Sequence, residues 1–291
     1  MKRIFYTAAI LLFTANAFAQ TDTTILNNGP DTIKVGNFII VKKDRQGTDT
    51  GSNGKKNVYI DINVGSLNVT NNKERKRSNV STNWLIFDLG FANLRDKTVY
   101  GSAEANSYLN AGAGAPFTKS DLSIRTGKST NANLWLFMQK VNISKHVLNL
   151  KYGLGMEMYN YRYENNISYV KSPASIIRDD VDFSKNKLYV GYATVPLMLN
   201  IDATPSKRKG FSISAGVSAG YKVGSRNKQI SSERGKDKTK GDFDLEPFRL
   251  AAVTELGLGP IRVYGSYSLN RLHQTGLEQY PYAVGIRFSN W

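Results

Sequence analysis

From Asn83 to the end of the chain, apolar and polar residues alternate with a period of two, the pattern of strands that show different environments to their two faces. The cleanest run is Phe211 to Val223. Its odd positions read Phe, Ile, Ala, Val, Ala, Tyr, Val, and its even positions read Ser, Ser, Gly, Ser, Gly, Lys. Leu148 to Met158 sets Leu, Leu, Tyr, Leu, Met, Met against Asn, Lys, Gly, Gly, Glu. Tyr189 to Ile201 sets Ala193, Val195, Leu197, Leu199 and Ile201 against Thr194, Pro196, Met198 and Asn200. Leu85, Phe87, Leu89 and Phe91 form another such face. Leu134 to Ile143 is apolar but ambiguous in phase, since Trp135 and Phe137 compete with Leu134, Leu136 and Met138. Eight strands are predicted, over 83–94, 130–143, 147–163, 187–202, 211–223, 246–257, 261–271 and 280–289.

The connections alternate in length. Ser144-Lys145-His146, Ala203 to Gly210 and Leu258-Gly259-Pro260 are short, while 95–129, 164–186, 224–245 and 272–279 are long and polar. Short turns at one end and long loops at the other are the asymmetry of an outer-membrane barrel. Alternation alone also fits a soluble barrel with an apolar inside. Three features favour the membrane. The polar face of 211–223 carries small residues, which suit a crowded interior. Strands of about ten residues at ~3.3 Å each, tilted ~40°, cover about 25 Å, the height of the apolar band. Tyr159, Tyr161, Tyr163, Tyr189, Tyr221, Tyr267, Tyr280 and Tyr282 lie near strand ends, where amphipathic rings suit the headgroup level. The expected fold is all-β: an eight-stranded antiparallel transmembrane up-and-down barrel over 83–291. Backbone groups in hydrocarbon have no water to bond, which forces such a sheet to close.

The N-terminal part differs. Lys2 and Arg3, an apolar run from Ile4 to Phe13 and Ala17-Phe18-Ala19 make a signal peptide over 1–19. Residues 20–82 form a short periplasmic extension and linker. It contains a hairpin, Thr32 to Val35 and Phe38 to Val41 around Gly36-Asn37, then a flexible stretch from Asp44 to Lys56 and the charge cluster Lys73 to Arg77. No later segment is apolar over 18 residues, so no spanning helix is expected.

The Trp84-to-Gly90 segment (WLIFDLG), Tyr152-Gly153-Leu154-Gly155-Met156-Glu157 with Tyr159-Asn160-Tyr161, Val195-Pro196-Leu197, and Ser214-Ala215-Gly216-Val217 with Gly220-Tyr221-Lys222-Val223-Gly224-Ser225 resemble the PorT-like outer-membrane barrels of Bacteroidetes, over residues 83–291. The resemblance implies a Gram-negative outer membrane and admits a role in an envelope or secretion complex. Such barrels end on an aromatic that the insertion machinery reads. Here Phe288 is in phase with Tyr282, Val284 and Ile286, while the terminal Trp291 is not.

The chain has 291 residues, no cysteine, two histidines and a formal net charge of +16. Absence of cysteine excludes disulfide scaffolds, thiolate metal sites and cysteine nucleophiles. An exported chain has no access to cytoplasmic nucleic acid, so the positive charge is expected to face outer-membrane lipid and lipopolysaccharide. By parity, Asp88, Lys151, Glu157, Lys222, Arg249, Glu255, Arg262 and Arg287 point inward, where opposite signs can pair across a narrow lumen. On the lipid face a mid-membrane Arg or Lys would cost roughly 2–4 kcal/mol. Arg226, Lys228, Arg234, Lys236, Lys238 and Lys240 make the loop after 223 basic and are candidate lipopolysaccharide contacts. His146 lies in a tight turn. His273, near Glu278 and Ser268, is the one candidate base for a lipid A-modifying barrel enzyme. Asp179, Asp180 and Asp182 lack the spacing of a calcium loop. The expectation is a non-enzymatic barrel without metal or cofactor, with a structural, adhesive or envelope-accessory role. A soluble barrel holding an apolar ligand and the enzyme using His273 remain the alternatives.

Overall fold

A computed structural model describes residues 32–35, 38–41, 61–62, 78–205 and 210–289. The predicted signal peptide, most of the linker, and Asn290-Trp291 lie outside the described residues. The chain divides into two units, Met1–Arg75 and Lys76–Trp291. In the first, β1 (Thr32–Val35) and β2 (Phe38–Val41) form the expected hairpin, and β3 (Asp61–Ile62) pairs with β2.

The second unit is built on eight long strands. They are β4 (Val80–Asp96), β6 (Thr130–Ser144), β7 (Leu148–Arg162), β10 (Phe183–Asp202), β11 (Phe211–Ser231), β13 (Phe248–Leu258), β14 (Ile261–Ser268) and β15 (Gln279–Phe288). Each pairs antiparallel with its sequence neighbour, and β15 pairs with β4, so the hydrogen bonds run in a closed ring through all eight. The ring is that of an eight-stranded up-and-down barrel. At the closing seam Gly285 stands opposite Gly90. A Cβ on Gly90 would lie 2.6 Å from the Tyr264 hydroxyl and one on Gly285 2.7 Å from the Tyr264 ring, so this pair of glycines makes room for a tyrosine laid across the seam from β14.

The parity of the strands is decisive. Leu89, Phe91, Leu134, Leu136, Val195, Leu197, Leu199, Ile213, Val217, Val284, Ile286 and Phe288 are exposed on the outside, while Asp88, Asn133, Lys151, Glu157, Thr194, Ser214, Glu255 and Arg287 are buried inside. The ring is apolar outside and polar inside, the reverse of a water-soluble barrel. The ambiguous phase of 134–143 has a local cause. Leu136 is left unpaired on β6, since Trp135 and Phe137 pair with the consecutive Gly155 and Leu154 of β7, and the facing Leu85 takes φ 54°. These bulges turn Trp84 and Leu85 both outward and leave Trp135 and Met138 both inward. Between Ile86, Trp135, Met138 and Met198 lies a small apolar plug.

The long connections fold over the open end as a cap. It comprises α1 (Ala103–Tyr108), β5 (Leu109–Asn110), β8 (Ile167–Lys171), β9 (Ala174–Arg178) and two 3-10 turns at Lys119–Leu122 and Thr126–Lys128. β9 pairs with both β5 and β8. Ser102 caps α1 by accepting from the Ala105 backbone N–H at 3.1 Å. The loop expected over 224–245 is instead mostly strand. β11 runs on to Ser231, turns, and pairs with β12 (Gly235–Lys240), with β10 on its other side. The tyrosine girdle is corrected at three of its eight positions, while Tyr189, Tyr221, Tyr267, Tyr280 and Tyr282 keep the outward parity. Tyr159, Tyr161 and Tyr163 are buried inside, because they share the inward parity of Lys151 and Glu157, whereas Tyr221 is exposed as expected.

Candidate functional site

Two clusters of charged side chains stand out, one inside the ring and one on its outer face. The inner cluster gathers seven of the eight predicted lumen charges. Arg287 on β15 grips Asp88 on β4 with two parallel bonds, Nε to Oδ1 and Nη2 to Oδ2, both 2.8 Å, and gives Nη1 to Glu255 Oε2 at 2.6 Å. Glu255 Oε1 also accepts from Lys151 Nζ at 2.6 Å and from Arg262 Nη1 at 3.2 Å. Asp88 Oδ2 further accepts from the Trp135 indole N–H at 2.7 Å and from the Asn133 amide at 3.1 Å. Toward the cap, Arg249 donates to Glu157 at 2.6 Å and to the Ser266 and Ser268 hydroxyls at 2.6 and 2.8 Å. Its guanidinium also lies over the Tyr159 ring, 4.9 Å from the centroid.

Each of these groups is taken out of water and given at least one charge-assisted partner, the condition under which a buried ion is tolerated. The strand register explains why. Arg287 sits opposite Asp88 on one side and Arg262 on the other, so three adjacent strands present charges at one level, and Glu255 and Lys151 reach them across the bore. A cavity of about 20 Å³ is left near Asn133, Trp135, Glu157, Tyr264 and Arg287, room for about one water. Lys222, the eighth predicted lumen charge, is half-buried near the cap end of the strand. It pairs with Asp242 and the Leu245 carbonyl rather than joining the network.

Above the ions, Tyr159, Tyr161 and Tyr192 fill the bore, and the cap closes over them with Tyr108, Tyr163, Tyr169, Phe243 and Leu245. His273 belongs to this cap. It is fully buried, stacked parallel to Tyr169 with centroids 6.1 Å apart and tilted against Tyr108 at 5.2 Å. Neither ring nitrogen has a hydrogen-bond partner among the described residues. Burial, helped by the nearby Lys222, pushes its pKa down to about 3, against a weaker opposing pull from Asp96. The structure does not bring His273 together with the residues predicted to assist it. Ser268 accepts from Arg249, and no hydrogen bond joins His273 to Ser268 or Glu278. His146 sits in the turn between β6 and β7 with φ 57°, its backbone N–H bonded to Asn142. Asp179 and Asp182 bond Ser168 and Asn166, and no group of three or more His, Asp or Glu that could hold a metal occurs among the described residues.

The outer cluster is the arm formed by the cap ends of β7, β10 and β11 together with β12. Five of the six predicted basic contacts, Arg226, Lys228, Lys236, Lys238 and Lys240, lie on its outward face. Arg234 does not, since it turns to Asp179 at 3.0 Å. Three cations absent from the sequence-derived set join the face: Arg162, Lys185 and Lys187. A β-bulge that leaves Val223 unpaired, between Gly191↔Gly224 and Tyr192↔Lys222, reverses the parity of β11, so even positions face outward from Gly224 on. Pairing then lines up Arg162, Lys187, Lys228 and Lys238 in one rung across four strands.

The profile of a known family, described as outer membrane protein beta-barrel domain, matches residues 87–274, from β4 into the loop before β15. No curated protein matches the chain. The matched region holds seven of the eight ring strands and most of the ionic plug; with the apolar exterior and charged interior in agreement, the chain belongs to the outer membrane protein β-barrel family.

Proposed function

We propose that this protein is an exported, non-enzymatic outer-membrane barrel that spans the bilayer as a closed, non-conducting post and holds a folded cap on the outer side. The observation that carries the reading is the inversion of the ring, with large apolar side chains exposed outside and ion pairs buried inside. In water the exposed belt would be an aggregation hazard; in hydrocarbon it is the favourable surface. The same inversion argues against a soluble carrier, whose apolar ligand would need an apolar interior. The termini of the ring and the short turns lie at one end, and the cap, β12 and the long connections at the other, which fits the usual periplasmic and outer ends of such barrels. Outward-facing Phe288 is the residue that would signal to the insertion machinery.

Two further observations support a structural or accessory role over transport or catalysis. The lumen is filled, from the ions through the tyrosines to the cap. The only histidine of the cap lacks the partners a general base requires. The likeness of several strands to PorT-like proteins of Bacteroidetes supports placing the role in an envelope or secretion complex. Envelope fractionation tests the location. The protein should enter the outer-membrane fraction, run as a heat-modifiable band, and be cleaved by external protease only at the 232–234 turn or the cap. Recovery from the soluble periplasm without heat modification would refute it. In planar bilayers the folded protein should show no conductance.

A further inference from the structure

The outward face of the arm is a surface of one sign. It presents Arg162 on β7, Lys185 and Lys187 on β10, Arg226 and Lys228 on β11, and Lys236, Lys238 and Lys240 on β12. None of these eight cations forms an ion pair among the described residues, in contrast to Arg234 beside them. The neighbouring acid Asp237 lies on the opposite parity, across from Gln229, and bonds Thr239. Cations directly opposite one another on paired strands repel. The repulsion shows in Lys187, whose pKa is pushed down to about 8 by partial burial and by Lys185, Lys228, Arg226 and Arg162. The pKa of Lys228 is also lowered, by desolvation first and then by Lys185, Lys236, Lys238 and Arg226. Arg226 rests on the Tyr189 ring at 4.4 Å, its Nε without a hydrogen-bond partner among the described residues.

The height of the face identifies what neutralises it. The rung of Arg162, Lys187, Lys228 and Lys238 continues the outward parity of Val195, Leu197, Leu199 and Ile201 on β10. At ~3.3 Å per residue and ~40° tilt it stands about 35 Å above Ile201, past an apolar band of ~25 Å and within the headgroup layer. With strands ~4.8 Å apart, the rung is about 15 Å wide, enough to span a headgroup carrying more than one phosphate. We infer that this four-stranded face is a docking surface for the phosphorylated diglucosamine headgroup of lipopolysaccharide, which lies against the outside of the arm and supplies the anions the rung lacks. The inference rests on the proposed outer-membrane placement.

The test uses the full chain folded in detergent, with bisphosphorylated lipid A, the same lipid A with both phosphates removed, phosphatidylglycerol vesicles and polyglutamate as probes. The variants are Lys187→Gln/Lys228→Gln/Lys238→Gln, the single Lys228→Gln, and Arg234→Gln as a control outside the face. Loss of three charge-assisted contacts should weaken bisphosphorylated lipid A binding at least about tenfold. The single variant should show a smaller loss in the same direction, and Arg234→Gln none. Wild-type protein should bind dephosphorylated lipid A no better than the triple variant binds the phosphorylated form. Unchanged affinity in variants that still show heat-modifiable folding would overturn the inference. So would equal wild-type affinity for phosphatidylglycerol or polyglutamate, which would mark a general anion surface or a site for an acidic macromolecule. If the protein fractionates as soluble, the location fails and the docking surface, which rests on it, falls with it. If the protein is in the outer membrane and lipid A does not bind, only the docking surface fails.

Discussion

The bore and the arm use the same residue types to opposite ends. In the bore, Arg287, Lys151, Arg262 and Arg249 meet Asp88, Glu255 and Glu157, and every one of these charges has a partner of opposite sign. On the arm, cations face cations across three strand pairs, and no acid among the described residues shares the face. Mixed signs out of water lock a structure, because removing one ion strands the others. Like signs at the surface lock nothing and leave the fold dependent on an external anion or on solvent for relief. The comparison separates charges that hold the protein together from charges that await a partner.

Neutralising a carboxylate of the bore should have the largest effect. Glu255→Gln leaves Lys151, Arg262 and Arg287 without their shared anion and should destabilise the folded ring by about 3–5 kcal/mol. Urea unfolding in detergent, followed by heat-modifiable mobility, would read this. Asp88→Asn should cost nearly as much, and Asp88→Asn/Arg287→Met should recover most of that loss, since a buried pair replaced as a unit costs little. Equal loss in single and double variants would show that the pair does not act as one.

The cap gives the next effect. His273 is neutral when folded, with a pKa near 3, and titrates near 6.5 when exposed. Unfolded chains therefore bind the extra proton between those values, so the stability of the cap is complete above about pH 6.5 and falls as the pH drops toward 3. His273→Phe keeps the ring contacts with Tyr108 and Tyr169 and should flatten this acid limb, read by proteolysis of the cap against pH. A limb unchanged by the substitution would place the acid sensitivity elsewhere.

The smallest effect belongs to the arm, and its sign is opposite. Lys187→Gln or Lys228→Gln removes repulsion from a rung and should leave stability equal or slightly raised. Folded Lys187 releases its proton near pH 8 and the unfolded chain near 10.5, so its contribution makes stability rise with pH through that window. Lipid A binding should weaken over the same rise as the rung loses a charge. A destabilising Lys228→Gln would break the contrast between bore and arm.

Much of the ring was legible in the sequence because a period of two states, residue by residue, which side faces out. The eight strands stand within a few residues of the expected bounds except at the cap ends of β10 and β11, and Asp88, Lys151, Glu157, Arg249, Glu255, Arg262 and Arg287 face the bore as parity requires. Who pairs with whom was not legible, because Lys151 and Glu255 meet across the bore from strands 104 residues apart. Bulges hid the rest. The unpaired Val223 reverses the parity of β11, and the outward positions beyond it are cations rather than apolar residues, so a paired strand reads as a polar loop. Arg162, Lys185 and Lys187 escaped notice for a related reason: each is unremarkable on its own strand and becomes a site only when register sets it beside the others. Tyr159, Tyr161 and Tyr163 show the reverse fault. Nearness to a strand end suggested a girdle, but the parity that placed Glu157 inside had already placed them inside too.

The central claim is the direction in which the two faces look, and the absence of native cysteine makes it directly measurable. Single cysteines at each position from 211 to 223, labelled with a fluorophore and folded into bilayers, would report contact with brominated lipid chains. Quenching should alternate with a period of two, strong at Ile213, Ala215, Val217 and Ala219 and weak at Ser212, Ser214, Gly216 and Ser218. Uniform quenching, or quenching strongest at the serines and glycines, would contradict the inverted barrel.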